Sequence, residues 1–491
     1  MRKALTSAAS CAALAMALSG CVGGTGNIPS ASAPITQQEA AQGAEYHPQL
    51  LAEFGGAMTG PSAQYVEQVG KNIAIQSGLG NARQDFTVSL LNSPVNNAFA
   101  VPGGYVYTTR QLVSLMNNEA ELAAVLGHEV GHVAARHSQR RQANAQRNSL
   151  LGGLGAILSG VLLGNNQLGQ TLSRGFLQGS QLLTLKFSRG QESEADDLGI
   201  QYLTKAGYDP RAMGTVLQSL AAQNQLDAQL QGRDNASLPE WASTHPDPAS
   251  RVREALAKAQ GLPGTVTNHD TFLSRIDGLT YGDDPKQGVI EGRQFIHPEL
   301  RLSFTAPQGF YMINGTRAVS INGQSGQAQL TLGQYNGDLD RYVRQVFAAL
   351  GGEQQQLAPS NIQRTTVNGL PAAVGTARVN TNNGQVDVVV FAYEFARDRA
   401  YHFQAITAAG RSDAFAPMFN SMRRISSQEA ANVVPRVLDV YTVRSGDTVS
   451  SVARKMAYDR GQEARFRVLN GLNANDTLRA GQKVKIVVRG R

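Results

Sequence analysis

Two histidines four residues apart, with a glutamate directly after the first, stand in the run His128-Glu129-Val130-Gly131-His132. On a helix, residues four apart share a face, so His128 and His132 present two imidazole nitrogens to one ion while Glu129 stands beside a water bound to it. Such a set suits metal-assisted hydrolysis. Zinc lowers the water's pKa towards about 7 and polarises the scissile carbonyl, and the glutamate takes the proton and returns it to the leaving amine. The plain alternative is a chance match on a surface helix, which a chain with only eight histidines disfavours.

A catalytic zinc takes three protein ligands and keeps one position open, so a third ligand must come from elsewhere in the chain. The metzincin pattern is excluded, because Ser138 stands where its third histidine would be and Ala135 where its glycine would be. His137 is not the expected ligand either. At about 100° per residue it points about 180° from His128 and about 140° from His132, which predicts packing or hydrogen bonding on the far face of the helix. Glu192 is the better candidate, in the segment Ser188-Arg189-Gly190-Gln191-Glu192-Ser193-Glu194-Ala195-Asp196. Glu192 and Asp196 are four apart on a predicted helix, so one can bind zinc while the other accepts a hydrogen bond from a ligating imidazole. Glu194, on another face, is the runner-up ligand. Taken alone, the segment reads as a charged, solvated helix; the upstream motif outweighs that reading.

The elements that position these residues fall into several domains, as 491 residues with 42% hydrophobic content allow. A helix-rich domain is expected over 43–262. In it, Phe86 to Leu91 and Gly104 to Thr108 read as strands, and Asn118 with Glu121 reads as a capping box opening a helix to about Gln142. Leu150 to Leu163 is an apolar run too short to span a bilayer unaided, expected as a buried or interfacial helix. After a linker over 263–293, residues 294–426 read as an α+β domain with an antiparallel sheet, a helix at Leu339 to Leu350 and a hairpin at Asn382-Asn383-Gly384. That domain carries no catalytic constellation. A second linker, 427–440, precedes a last module over 441–489.

Both cysteines, Cys11 and Cys21, lie within the first 21 residues, so no disulfide forms in the folded body. Arg2 and Lys3, the apolar stretch Ala4 to Ala17 and then Leu18-Ser19-Gly20-Cys21 read as a signal peptide over 1–20. The tetrapeptide resembles a bacterial lipobox, which implies a lipid on Cys21, a flexible tether over 21–42 and, with Val22 next, an outer-membrane address facing the periplasm. An ordinary secretory signal and an uncleaved anchor are the alternatives.

Four ordered motifs carry a resemblance: Asn97-Ala98-Phe99-Ala100-Val101-Pro102-Gly103-Gly104, the H-E-V-G-H run, Ser188-Arg189 with Glu192-x-x-Ala195-Asp196, and Thr244-His245-Pro246 followed by Arg251. Together they resemble the HtpX/BepA-like zinc metallopeptidases, related to the CAAX prenyl proteases, over roughly half the chain. The resemblance implies a mainly α (α+β), zincin-like domain of gluzincin type, with one Zn2+ held by His128, His132 and Glu192. It implies proteolysis of misfolded or misassembled envelope proteins. It further implies that Asn97, Ala98, Phe99 and Ala100 form an edge strand for an extended substrate. His245 would then lie near the zinc, either stabilising the oxyanion or acting as a fourth ligand that silences the resting enzyme. The helical repeats of BepA-like members are not seen after the peptidase region.

Residues 441–489 resemble a LysM domain, a small βααβ module, from Tyr441-Thr442-Val443-Arg444-Ser445-Gly446-Asp447 to the closing strand at Lys483 to Val488. The resemblance implies binding to N-acetylglucosamine-containing glycans such as peptidoglycan. From Tyr441 to Arg491 eleven Lys/Arg stand against four Asp/Glu, which equals the whole chain's net +7. No nucleic-acid partner is expected, given the export signal and the missing aromatic platform. Two rivals to an envelope endopeptidase stand: a peptidoglycan peptide hydrolase, and a self-inhibited chaperone or scaffold at the wall.

Overall fold

A computed structural model describes residues 33–141, 187–230, 245, 248–351, 357–381 and 383–490. The signal peptide, Cys21, most of the tether and the apolar run Leu150 to Leu163 lie outside the described residues. Among the described residues, no helix is long and apolar enough to cross a membrane.

Helices α1 (Gln37–Glu53), α2 (Pro61–Ile75) and α3 (Ala82–Asp85) precede strands β1 (Thr87–Leu91), β2 (Ala98–Val101) and β3 (Tyr105–Thr109). The sheet order is β1-β3-β2, with β1 parallel and β2 antiparallel to β3, so β2 is an edge. Then come α4 (Arg110–Leu115), α5 (Glu119–Ala134), α6 (Arg189–Lys205), α7 (Ala212–Leu230) and α8 (Pro248–Ala259). Asn118 caps α5, its side chain accepting from Glu121 N at 3.0 Å. The reciprocal arm of the expected capping box is redirected: Glu121 Oε2 accepts from Asn117 N at 2.7 Å.

Helix α5 ends at Ala134, short of the expected Gln142, because Arg136 adopts φ +52°. That left-handed conformation costs a non-glycine residue about 1–2 kcal/mol. The buried guanidinium offsets it with bonds to Glu39 Oε1 (3.0 Å), Ala33 O (2.9 Å) and Pro34 O (3.0 Å). Helical conformation resumes at His137.

Helices α5 and α6 cross closely because the contact is built of small residues. A Cβ on Gly127 would stand 3.4 Å from Gly199 Cα, one on Gly131 3.2 Å from Ala195 O, and one on Gly199 2.5 Å from Met213 Cε. Small residues at the crossing bring two backbones, and hence the polar side chains they carry, within bonding reach.

Residues 263–293, expected as a linker, hold helix α9 (His269–Ile276) and strands β4 (Thr280–Tyr281) and β5 (Val289–Glu291). The middle region continues with β6 (Gln294–His297), β7 (Leu302–Thr305), β8 (Tyr311–Asn314), β9 (Val319–Gly323), β10 (Gly326–Leu332) and α10 (Leu339–Gly351). It ends with β11 (Asn361–Val367), β12 (Leu370–Thr381), β13 (Gly384–Ala396), β14 (Arg399–Ala408), α11 (Ala416–Ser421), β15 (Arg423–Arg424) and α12 (Ser427–Ala431). A seven-stranded sheet runs β11-β12-β13-β14-β10-β9-β8, beside a four-stranded one, β15-β7-β6-β5. Strand β13 alternates between two cores: Val388 and Val390 face α10, while Phe391 and Tyr393 face Phe403 and Phe419 on the other side.

The C-terminal module is β16 (Arg436–Thr442), α13 (Val449–Ala453), α14 (Gln462–Leu469) and β17 (Lys483–Arg489), the expected βααβ order. Strand β16 starts inside the expected 427–440 linker and pairs with β4 as well as β17. The module shares one apolar core with the helical domain, in which Leu438, Phe466, Leu469 and Ile486 join Leu115, Met116 and Leu220.

A buried cation crosses that interface. Lys485 Nζ donates to the carbonyls of Ser114 (2.8 Å), Leu115 (3.2 Å) and Met116 at the end of α4. Burial lowers the lysine's pKa to about 7, and the facing carboxylate of Glu121, also buried, pulls the other way. Lys485→Met is expected to lower stability by about 2–4 kcal/mol, since it strands those carbonyls and the Glu121 charge. Denaturation midpoints check this, with Glu121→Gln added to Lys485→Met recovering part of the loss.

Candidate active site

Helix α5 delivers His128, Glu129 and His132, helix α6 delivers Glu192 and Asp196, and His245 comes from the chain just before α8. His128, His132, Glu192 and His245 each offer a ligand atom, all within 4.8 Å of one another, and all four are buried. His128 Nε2 lies 3.0 Å from His132 Nε2, 3.3 Å from His245 Nδ1 and 3.6 Å from Glu192 Oε2. His132 Nε2 lies 3.5 Å from Glu192 Oε1, and His245 Nδ1 3.1 Å from both Glu192 oxygens. Glu194, the runner-up ligand, is not part of the cluster. It points outward, bonded to Arg140 at 2.8 Å.

This donor set fits a dication. Burial, with the neighbouring His128 and His245, drives His132 well below its ordinary pKa, so its ring is neutral with a lone pair to give. Burial alone would raise the Glu192 carboxyl, but His245, His128 and Arg251 outweigh it and hold it below the usual value, so it is an anion. Nitrogen and oxygen lone pairs converging in a buried space need a cation between them. The adjacent carboxylate of Glu129 is fully buried, and both its oxygens lack a hydrogen-bond partner among the described residues. A buried acceptor left open in this way marks a position for a reacting or bound molecule. Burial raises the Glu129 pKa, with His245 and His128 partly opposing, which moves a base towards neutrality.

The expected outer contact is present. His128 Nδ1 lies 2.9 Å from Asp196 Oδ1, so that ring donates from Nδ1 and keeps Nε2 for an ion. Arg251 belongs to the last of the four sequence motifs without a role of its own there; the structure supplies one. Its Nη1 donates to Glu192 Oε2 at 2.6 Å, and Nε and Nη2 to Asp196 at 2.8 and 2.7 Å. Two carboxylates four residues apart on a buried face require such a counter-charge, and that was the available signal.

His137 departs from its predicted place. The turn at Arg136 brings its ring back, so Nδ1 lies 2.8 Å from His132 Nδ1 and Nε2 3.2 Å from Glu194 Oε2. Periodicity on an unbroken helix could not have shown this.

Strand β2 carries three of the four expected substrate-edge residues, Ala98, Phe99 and Ala100, with Asn97 just before it. Its second edge has no strand partner among the described residues. Ala98 O lies 3.4 Å from His245 Nε2, which brings the edge to the cluster. Phe99 turns inward instead, stacked on Tyr107 with centroids 4.7 Å apart.

Residues 61–259 match the family model for peptidase family M48, and residues 441–487 match that for the LysM domain. Over residues 61–259 the chain is therefore similar to peptidase family M48. A beta-barrel assembly-enhancing protease of Yersinia pestis is 35% identical over 254 residues, half of each chain. Its counterpart in Escherichia coli strain K12 is 34% identical over 217 residues, 43% of this chain and 42% of the relative. A mitochondrial metalloendopeptidase OMA1 of Schizosaccharomyces pombe is 33% identical over 210 residues, 42% and 56%. The chain thus spans about half the length of these relatives. The chain joins a region similar to peptidase family M48 to one that matches the LysM domain.

Proposed function

We propose that the chain is a zinc-dependent endopeptidase of the bacterial cell envelope that degrades misfolded or misassembled envelope proteins. The observation that carries the reading is the buried meeting of His128, His132 and Glu192 beside the unbonded carboxylate of Glu129. Zinc, when bound, supplies Lewis-acid polarisation of the carbonyl and a water acidic enough to deprotonate near neutrality. His128, His132 and Glu192 would hold it. Asp196 and Arg251 fix the orientation of His128 and Glu192. Glu129 takes the attacking water's proton and returns it to the leaving amine. The open edge of β2, from Ala98, lays an extended backbone across the site through main-chain hydrogen bonds. Selection would then favour unfolded segments over particular side chains.

The LysM domain supplies the attachment to peptidoglycan, and a lipid on Cys21 the attachment to a membrane, the outer membrane on its periplasmic side. Similarity to beta-barrel assembly-enhancing proteases supports a link with β-barrel assembly in the envelope. A second reading is favoured by His245, whose Nδ1 sits among the ligand atoms: the resting site is closed by a fourth ligand.

Zinc-loaded protein is expected to cleave casein and an unfolded outer-membrane protein, to lose this with a chelator and to regain it with zinc. His245→Ala is expected to cleave about tenfold faster, as one blocking ligand is removed. A slower His245→Ala would make that residue an oxyanion stabiliser. Absent cleavage by all forms, with zinc and peptidoglycan still bound, would replace the peptidase reading by a scaffold.

A further inference from the structure

We propose that His137, backed by Glu194, is a positioning residue for the imidazole of His132. The inference rests on the metal reading above and adds a role that neither the family match nor the motif assigns. Proton bookkeeping carries it. His132 directs Nε2 into the ligand cluster, 3.5 Å from Glu192 Oε1, so its single proton sits on Nδ1. That nitrogen faces His137 Nδ1 at 2.8 Å, which must therefore accept. The proton of His137 is then on Nε2, where it donates to Glu194 Oε2 at 3.2 Å. One arrangement satisfies every group in the row.

The two cluster histidines thus receive parallel support by different means. His128 donates directly to the carboxylate of Asp196, whereas His132 reaches a carboxylate through a second imidazole. Packing holds the row in place. The His132 ring stacks on Phe187 with centroids 4.0 Å apart, His137 is fully buried, and Gln191 Nε2 donates to His137 O at 3.0 Å. Arg140 fixes Glu194 from the solvent side. The left-handed Arg136 is what makes the row reachable, because an unbroken helix would carry His137 to the opposite face.

Partners of ligating imidazoles fix tautomer and ring orientation, and their loss typically costs 10–100-fold in metal affinity. The experiment is zinc affinity of the full chain by competition with a fluorescent chelator, alongside unfolding of the zinc-free forms. His137→Phe, which keeps ring volume and removes the acceptor, is expected to weaken zinc by about 10–100-fold. His137→Gln, whose amide oxygen can accept from His132 Nδ1, is expected to recover most of that. Glu194→Gln, on a half-exposed residue, is expected to fold normally and to weaken zinc by about tenfold, the lower end of partner effects. Cobalt-substituted His137→Phe should also show a shifted visible spectrum.

If zinc affinity of His137→Phe and Glu194→Gln stays within about twofold of wild type, the positioning role is wrong, whatever happens to their unfolding. Should His137→Phe fail to fold, Glu194→Gln decides the matter by the same affinity. Wild type failing to bind zinc would instead overturn the metal reading beneath the inference.

Discussion

Glu129→Gln is expected to lower peptide hydrolysis by at least about 10²–10⁴-fold, the usual weight of a general acid–base group, with zinc still bound. The substitution keeps the shape and removes the ability to take a proton. It breaks no hydrogen bond, because neither Glu129 oxygen has one with another described residue, and the charge it removes faces His245 Nε2 at 3.6 Å. It also leaves the cluster intact, since His128, His132 and Glu192 supply the metal-facing atoms without it. Burial raises the Glu129 pKa, so the charged carboxylate is the disfavoured form in the metal-free protein, and a neutral amide there should leave the unfolding temperature unchanged or higher. Steady-state cleavage of a quenched fluorescent peptide, with zinc content and unfolding measured on the same samples, checks all three. A variant with zinc bound and activity within tenfold of wild type would assign the base to another residue.

What the sequence made legible here is what local spacing determines. His128 with His132, and Glu192 with Asp196, are each four apart, and a helix of 3.6 residues per turn places each pair on one face before any tertiary fact is known. That the two faces meet depends on Gly127, Gly131, Ala195 and Gly199, whose small size is visible in the sequence but whose contact is not. His137 was misplaced for a local reason of another kind. Arg136 is an ordinary residue by propensity, and its left-handed φ is held by bonds to Ala33, Pro34 and Glu39, about a hundred positions away. Lys485 is one of the eleven basic residues from Tyr441 onward, yet it is buried against α4. Its sequence neighbourhood, Val484 and Ile486 on either side, marks a strand but not the surface that the strand meets. Tertiary pairing likewise pulled β4 and the start of β16 out of segments that composition marked as linkers.

Arg251→Leu is expected to destabilise the zinc-free protein by about 3–5 kcal/mol at neutral pH, the usual cost of breaking a buried ion pair from one side. The guanidinium is 4% exposed, while Glu192 and Asp196, which it joins, are 0% and 4% exposed. Leucine fills much of the space and leaves two buried carboxylates facing each other along one helix. The pH dependence follows from the Asp196 carboxyl. Burial alone would raise its pKa, but Arg251 and His128 outweigh that and hold it well below the ordinary 3.8. In wild type the group therefore adds stability above pH about 4, and that contribution is lost as pH falls through its lowered pKa. Without Arg251 the sign reverses at Asp196, because burial then acts on that carboxyl with only His128 opposing and its folded pKa rises above the unfolded one, whereas Glu192 keeps His245 and His128. The folded variant takes up protons that the unfolded chain releases, so its stability increases as pH falls from 7.5 towards 5. The deficit relative to wild type is therefore largest at neutral pH and shrinks in mild acid. Chemical denaturation of both zinc-free proteins at pH 7.5 and pH 5 measures it. Equal deficits at the two pH values would mean that lost packing, rather than unpaired charge, sets the cost; a deficit under about 1 kcal/mol would remove Arg251 as the counter-charge of the site.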